Sequence, residues 1–434
     1  MTPRAKTTAP TSEKGYVANP LPDGWINWDP FEKTPELQWP ECVPVYSRME
    51  REDGRVSSVL QAIGLPVRRT PWRIDPNGAE DEVVDFVSRN MSLPIVGQDA
   101  IQNPARSRDR FSWAQHLRTA LTMLQYGHSV FEQVYRRGED GRFWIRKLAP
   151  RPQRTIAAFN VALDGGLDSI TQLAPTSRGR VAYGIKPLDI PVNRLVVYTR
   201  DMEPGQWQGK SLLRPSYKHW LLKDELMRIE AAGARRNAIG VAIGTAARED
   251  DPEEVRQMRE LASSLRAGMS SGVGLAQGQT LELAGVQGNL PDIRAAIEYH
   301  DKQIALAGLA HFLNLDSRGG SHALATVQES TFSQSTQAVG EDIRDIGTAH
   351  IVEDLVDVNF GIDVGAPRIV FDEIGSRQDA TAAALKMLVE AGLLSPDVLI
   401  ERSLRQKLGL PAQPSDAQRD EPADADPSPT GATS

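Results

Sequence analysis

The chain has 434 residues, 40% of them hydrophobic, and carries a formal net charge of −8 with a single cysteine. That length predicts two or three domains, and aromatics at 6% mean that their cores are mainly aliphatic. The acidic balance excludes a protein that wraps nucleic acid through a basic surface, and Cys42 alone excludes a disulfide framework within one chain and fits a reducing compartment.

Residues 1 to 20 read as a disordered, polar, Pro/Thr-rich tail with no signal-peptide core, and no run of eighteen apolar residues follows to span a membrane. Gly24 to Tyr46 holds Trp25, Trp28 and Trp39 without a period and reads as an extended arm pinned by its aromatics. From Glu50 to Gly64 the spacing of Val56, Val59, Leu60 and Ile63 predicts a helix that Pro66 ends. Val67 to Ile74 alternates and is expected to be a strand with Arg68, Arg69 and Arg73 facing solvent. Val83, Val84 and Val87 put a second helix over Asp81 to Asn90. A third runs from Phe111 to Leu124, with Ser112 as N-cap, Trp113, Leu117, Leu121 and Leu124 as its stripe, and Gly127 as its stop. Strands are then expected at His128 to Arg136, Arg142 to Leu148, Thr155 to Ala162, Ile170 to Leu173, Arg180 to Tyr183 and Arg194 to Thr199. Glu139-Asp140-Gly141 and Asp164-Gly165-Gly166 supply hairpin turns, so the region is antiparallel and not a βαβ series.

Leu212 to Asn237 is a long helix capped by Ser211, about 39 Å at 1.5 Å per residue. Ile239 to Thr245 is a strand. Asp251 as cap, Pro252 in the first position and Glu253 and Glu254 in the first turn start a helix that ends at Gly268. Strands at Gly272 to Ala276 and Thr280 to Leu283 complete a β-α-β insert. A second long helix, Pro291 to Leu313, follows through Ile293, Ile297, Ile304 and Leu309. Leu315 to His322 is a flexible loop. A third long helix covers Leu324 to Asn359, where Gly340 and Gly347 allow a kink. Arg368 to Phe371 is a strand. Asp379 caps a helix ending at Gly392, and Ser395-Pro396 starts another ending at Gly409. Beyond Pro411 the chain is Pro/Ala/Asp-rich and reads as disordered.

No catalytic constellation emerges. Gly205-Gln206-Trp207-Gln208-Gly209-Lys210-Ser211 follows a strand and opens a helix, as a P-loop would, but it has three residues between its glycines where the phosphate cradle needs four. Ile369-Val370-Phe371-Asp372-Glu373 imitates the acidic strand of such enzymes. The antiparallel pattern before the loop argues for a tight strand-to-helix turn instead. The seven histidines are scattered with no metal-site spacing, and His300 and Asp301 face different directions on a helix. Arg68/Arg69, Arg106/Arg108/Arg110 and Arg235/Arg236 are short basic clusters that read as solvated faces or subunit contacts. Catalytic, cofactor-binding and metal residues are therefore all expected to be absent.

The order of elements resembles the portal proteins of tailed bacteriophages, the head-to-tail connectors. Gly127-His128-Ser129-Val130-Phe131-Glu132 with Tyr135 resembles the family's wing segment. Gly205 to Arg214 is similar to the segment leading into its first stem helix, and residues 290 to 320 to its second stem helix and tunnel loop. The resemblance implies an α+β fold with a mixed antiparallel wing, long stem helices, a small β-α-β clip, a kinked long helix and a short helical crown. The implied division is 1–45 tail and arm, 46–210 first part of the wing, 211–238 and 289–314 stem helices, 239–288 clip, 315–323 tunnel loop, 324–375 kinked helix and second part of the wing, 376–410 reduced crown, and 411–434 tail. It also implies a ring of twelve copies at one capsid vertex of the virion, assembled in the bacterial cytoplasm. That ring would conduct double-stranded DNA in packaging and ejection, and would bind the terminase large subunit, a head-tail adaptor and the major capsid or scaffolding protein, without a membrane. Ser317, Arg318, Gly319, Gly320, Ser321 and His322 are the expected DNA contacts in the channel. A packaging ATPase and another internal capsid protein are the alternative readings.

Overall fold

The computed structural model describes residues 32–98, 101, 111–173, 187–239, 241–248, 250–264, 273–284, 292–308 and 322–374. Helix α1 (Cys42–Glu52) begins inside the stretch expected to be an extended arm. Its buried residues Cys42, Val43, Tyr46 and Met49 form one helical face. Pro44 lies in the first turn, where a missing N–H breaks no helical bond. The Asp53 carboxylate caps α2 (Gly54–Arg69) by accepting from the Arg55 and Val56 amides.

Pro66 lies inside α2 and does not end it. A proline there costs about 3 kcal/mol, and burying Val67, fully covered on the face that Val56, Val59 and Ile63 begin, returns about 1.5–3 kcal/mol. The strand expected from Val67 therefore shrinks to β1 (Trp72–Asp75). Arg68 and Arg69 are exposed, whereas Arg73 faces a carboxylate, Asp372, at 2.5 Å.

Helix α3 (Asp81–Met91) buries Val83, Val84, Phe86 and Val87. The next expected helix is broken at Leu121 into α4 (Trp113–Ala120) and α5 (Thr122–Tyr126), with Ser112 at the N-cap but making no side-chain cap bond. Gly127, at φ +92°, ends α5. Strands β2 (His128–Arg137), β3 (Phe143–Arg151), β4 (Ile156–Val161), β5 (Leu167–Gln172), β6 (Leu188–Pro191) and β7 (Leu195–Thr199) follow. They form two antiparallel sheets, β3-β2-β7 and β4-β5-β6. Strand β6 was not expected; it is short and ends in Pro191, as an edge strand can. The strand expected at Arg180 to Tyr183 lies outside the described residues.

Helix α6 (Tyr217–Ile239) starts five residues later than expected. An insert of β8 (Val241–Thr245), α7 (Pro252–Ser264) and β9 (Thr280–Ala284) separates it from α8 (Ile293–Ala307). Residues 273–276 are not strand, so among the described residues the insert's sheet has two strands, paired antiparallel. The Asp251 carboxylate caps α7 through the Glu253 and Glu254 amides at 3.0 and 3.3 Å, as its sequence requires.

Helix α9 (His322–Gly347) runs into a π-helical segment, Thr348–Glu353, and on into α10 (Asp354–Phe360). A side chain on Gly340 would strike the Phe371 ring, and one on Gly347 would press on Trp113 and Ile369. These glycines permit close packing, and the irregularity falls just after them. Wider winding leaves carbonyls without their usual helical donors, and Gln133 Nε2 of β2 donates to the His350 oxygen at 2.9 Å and to the Asp354 carboxylate at 2.6 Å. Strand β10 (Arg368–Phe371) pairs antiparallel with β1. The largest core joins α2, α3, α4, β2 and the π segment around Ile74, Leu117, Phe131, Ile351 and Leu355. The two crown helices expected after Asp379 lie outside the described residues.

Two buried histidines make the fold pH-sensitive. The Tyr198 hydroxyl and His116 Nε2 share a hydrogen bond of 2.7 Å, and burial pulls His116 down to about 3. Burial pulls His128 down to about 4, opposed in part by its bond to the Gln208 oxygen. Both stay neutral in the fold and protonate near 6.5 once unfolded, so their stabilisation is complete above pH 6.5 and is lost as pH falls toward 4. Burial holds Asp342 and Asp354 above the carboxylate range, which acts in the opposite sense by smaller shifts. Urea unfolding should show a loss of about 2 kcal/mol per histidine between pH 7 and pH 5. An unchanged midpoint would contradict the neutral assignment.

Candidate functional site

Gly205 to Ser211 is a joint between backbones, not a phosphate cradle. Gly127 and Gly209 both have positive φ, +92° and +61°, and lie against one another. A Cβ on Gly127 would come within 2.6 Å of the Gln208 oxygen, and one on Gly209 would overlap the Gly127 oxygen. Only residues without a side chain allow this approach. Hydrogen bonds fasten it: the Arg200 amide donates to the Gly127 oxygen at 2.8 Å, the Lys210 amide to the Arg200 oxygen at 3.0 Å, and the Leu212 amide to the Leu124 oxygen at 2.9 Å. Ser211 caps no helix; its hydroxyl donates to the Gln125 oxygen at 2.5 Å and accepts from the Leu213 amide.

The amides of Gln206, Gly209 and Lys210 are thus spent within the protein, and Lys210 Nζ pairs with Glu203. The acidic strand belongs to the separate β1-β10 pair, where Asp372 binds Arg73. A P-loop site needs glycine loop and acidic strand side by side in one parallel sheet. A cavity of about 350 Å³ beside the loop contains Arg200, Lys210 and Arg214. Each is matched by a carboxylate, from Asp201, Glu203 and Glu32 respectively, so the cavity does not select an anion.

Helices α6 and α8 form an antiparallel hairpin. His219 faces His300, Lys223 meets Asp301 at 2.6 Å, and Glu230 meets Arg294 at 2.8 Å. At the hairpin's base Tyr217, Trp220 and Ile304 share a core with Leu37, Cys42, Tyr46 and Met49. Lys223 also binds Asp53 at 3.0 Å, which ties the hairpin to the cap of α2. Farther along, Leu221, Leu222, Met227, Ile229 and Tyr299 are 43% to 54% exposed. On α6 these residues lie on several sides, not one stripe, which is the pattern of a helix meant to be flanked on more than one side.

The insert holds itself together. Glu254 accepts from the Ala247 and Arg248 amides and from Gln279 Nε2. Gly244 lets Met258, which is buried, press on β8. Ile243 and Leu283 stay exposed on its two strands.

The expected channel residues Ser317, Arg318, Gly319, Gly320 and Ser321 lie outside the described residues, and of His322 only its backbone, opening α9, is described. The fold brings His219 and His300 together, which sequence spacing did not reveal, because the two are separated by the whole insert. Among the described residues no group of three or more His, Cys, Asp or Glu could hold a metal ion, and no helix is long and apolar enough to cross a membrane.

A chain from the virion of a native gene transfer agent particle shares the fold at a TM-score of 0.54 and 14% identity, over 86% of this chain and 95% of that one. A chain from the neck of the native particle, computed with C12 symmetry, gives the same values. No curated protein sequence matches. The family model for the portal protein of Mu bacteriophage matches residues 43–410, nearly the whole of the described structure. The chain belongs to the family of Mu-type bacteriophage portal proteins.

Proposed function

We propose that this portal protein assembles as a closed ring, twelve-fold like the neck of the gene transfer agent particle, at one capsid vertex. The ring passes double-stranded DNA inward during packaging and outward at ejection. The observation that carries this reading is the helical hairpin, whose apolar side chains a single copy leaves exposed. In a ring each hairpin covers its flanks on two neighbours, and closure leaves no free flank. Its role is structural rather than catalytic.

In this reading residues 46–210 and 324–375 form the wing, 211–238 and 289–314 the stem, 239–288 the clip and 376–410 a reduced crown. Among the described residues the insert's sheet has only two strands, whose outer edges neighbouring copies or a partner can extend. The clip docks the terminase large subunit and later a head-tail adaptor, and the outer face meets the major capsid or scaffolding protein. A net charge of −8 on each copy makes the wall repel phosphates, so that the duplex slides.

Replacing Leu222 and Ile229 together by glutamate tests the ring. Both are about half exposed in the single chain, so the fold should survive while light scattering reports monomers; intact rings would count against the stem interface. The loop from Asp316 to His322 is the proposed constriction, with Arg318 as its cation. Arg318→Ala should leave assembly unchanged and alter retention of packaged DNA in a salt-dependent way, since each phosphate contact is individually small. Unaltered retention at every salt concentration would remove Arg318 from the channel.

A further inference from the structure

We infer that His219 and His300 form a two-imidazole clamp for a borderline divalent transition-metal ion, zinc, nickel or copper, joining α6 to α8. Their Nδ1 atoms stand 3.0 Å apart on facing helices. With metal–nitrogen bonds of about 2.0–2.1 Å, adjacent ligand nitrogens in octahedral or tetrahedral coordination are about 3.0–3.4 Å apart. The two nitrogens therefore already lie at ligand spacing, and a metal ion would replace the hydrogen bond between them once the rings turn their lone pairs to a common point.

The clamp is held in place from both ends. Below it, Trp220 and Ile304 are fixed in the core. Beyond it, Arg294 binds Glu230 across the hairpin. Both imidazoles are half-buried, which leaves the remaining coordination positions open to water. Burial, the neighbouring His300 and then Lys218 hold His219 below the usual histidine range.

Of the two lysines beside His219, one is neutralised and the other opposes a cation only weakly. Lys223, one helical turn from His219, is bound by both Asp53 and Asp301, so its charge is compensated. Lys218 is exposed and screened by solvent. Nitrogen ligands select zinc, nickel or copper over magnesium or calcium, which take oxygen. With two protein ligands the site is open, so its affinity is modest and its effect is to staple the hairpin at its base.

The test is calorimetric titration of Zn²⁺ and of Ni²⁺ into the tag-free full-length protein at pH 7, beside His219→Gln and His300→Gln. Glutamine keeps a hydrogen-bonding group between the helices, and circular dichroism checks that each variant is folded. The inference expects one ion per chain, bound with a Kd below about 100 µM, at least tenfold weaker in either variant. It also expects a metal-dependent rise in Tm in the unmodified protein alone. A second readout uses the unmodified protein only: bound Co²⁺ should show visible absorption bands that excess zinc abolishes. Equal binding in all three proteins, or no uptake and no cobalt bands, would overturn the site.

Discussion

Replacing residues 241–284 by a short Gly/Ser linker should leave the rest of the chain folded and abolish DNA packaging. Among the described residues, none of the three hydrophobic cores draws a residue from this segment. Its own stability comes from within: the β8-β9 pairing, the Glu254 bonds across its loops, and Met258 against Gly244. Val241 stands opposite Ala284, a separation of about 5 Å in an antiparallel pair, so two or three residues suffice to close the gap. Thermal unfolding of the variant should match the parent within about 1 kcal/mol, because no core burial is lost. Packaging assays should read zero filled heads, since the proposed docking surface for the motor is gone. Normal packaging would show that the insert is not that surface.

Gly127→Ala should be strongly destabilising. At φ +92° a side chain costs about 1–2 kcal/mol in backbone strain. The added carbon would also stand 2.6 Å from the Gln208 oxygen, inside a joint held by three backbone hydrogen bonds. Overpacking of that kind adds about 1–3 kcal/mol, for a total of about 2–5 kcal/mol in urea unfolding. Because α6 begins just beyond the joint, rings that do form should be less stable as well. A loss under 0.5 kcal/mol would mean that the Gly127–Gly209 contact is not needed.

The parts legible in the sequence are those set by neighbours along the chain. Asp251-Pro252-Glu253-Glu254 starts a helix by capping and dipole effects that need no tertiary partner, and α7 begins at Pro252. Gly127 stops α5 because few other residues take its conformation. The antiparallel sheets follow from strands separated by Asp/Gly turns. Illegible parts depend on distant contacts. Pro66 looked like a stop, but Val67 packs into the core and carries the helix onward. The face of α1 was hidden among prolines and tryptophans that say nothing about burial. Gly127 and Gly209 were each singled out, yet nothing local says that they touch across 82 residues. The same holds for His219 and His300, which meet only because the hairpin folds back. Its motif-like spacing suggested Gly205 to Ser211 as a phosphate loop, and its hydrogen bonds assign it instead to the joint at the foot of α6.

The central claim is that the hairpin's exposed apolar flanks exist to be covered by identical neighbours. Electron microscopy of the purified full-length protein tests it most directly. Closed rings with a central channel wide enough for a DNA duplex, about 20 Å or more across in end-on class averages, are the predicted result. Particles that remain single copies at high concentration, with no ring at any vertex of assembled heads, would contradict it.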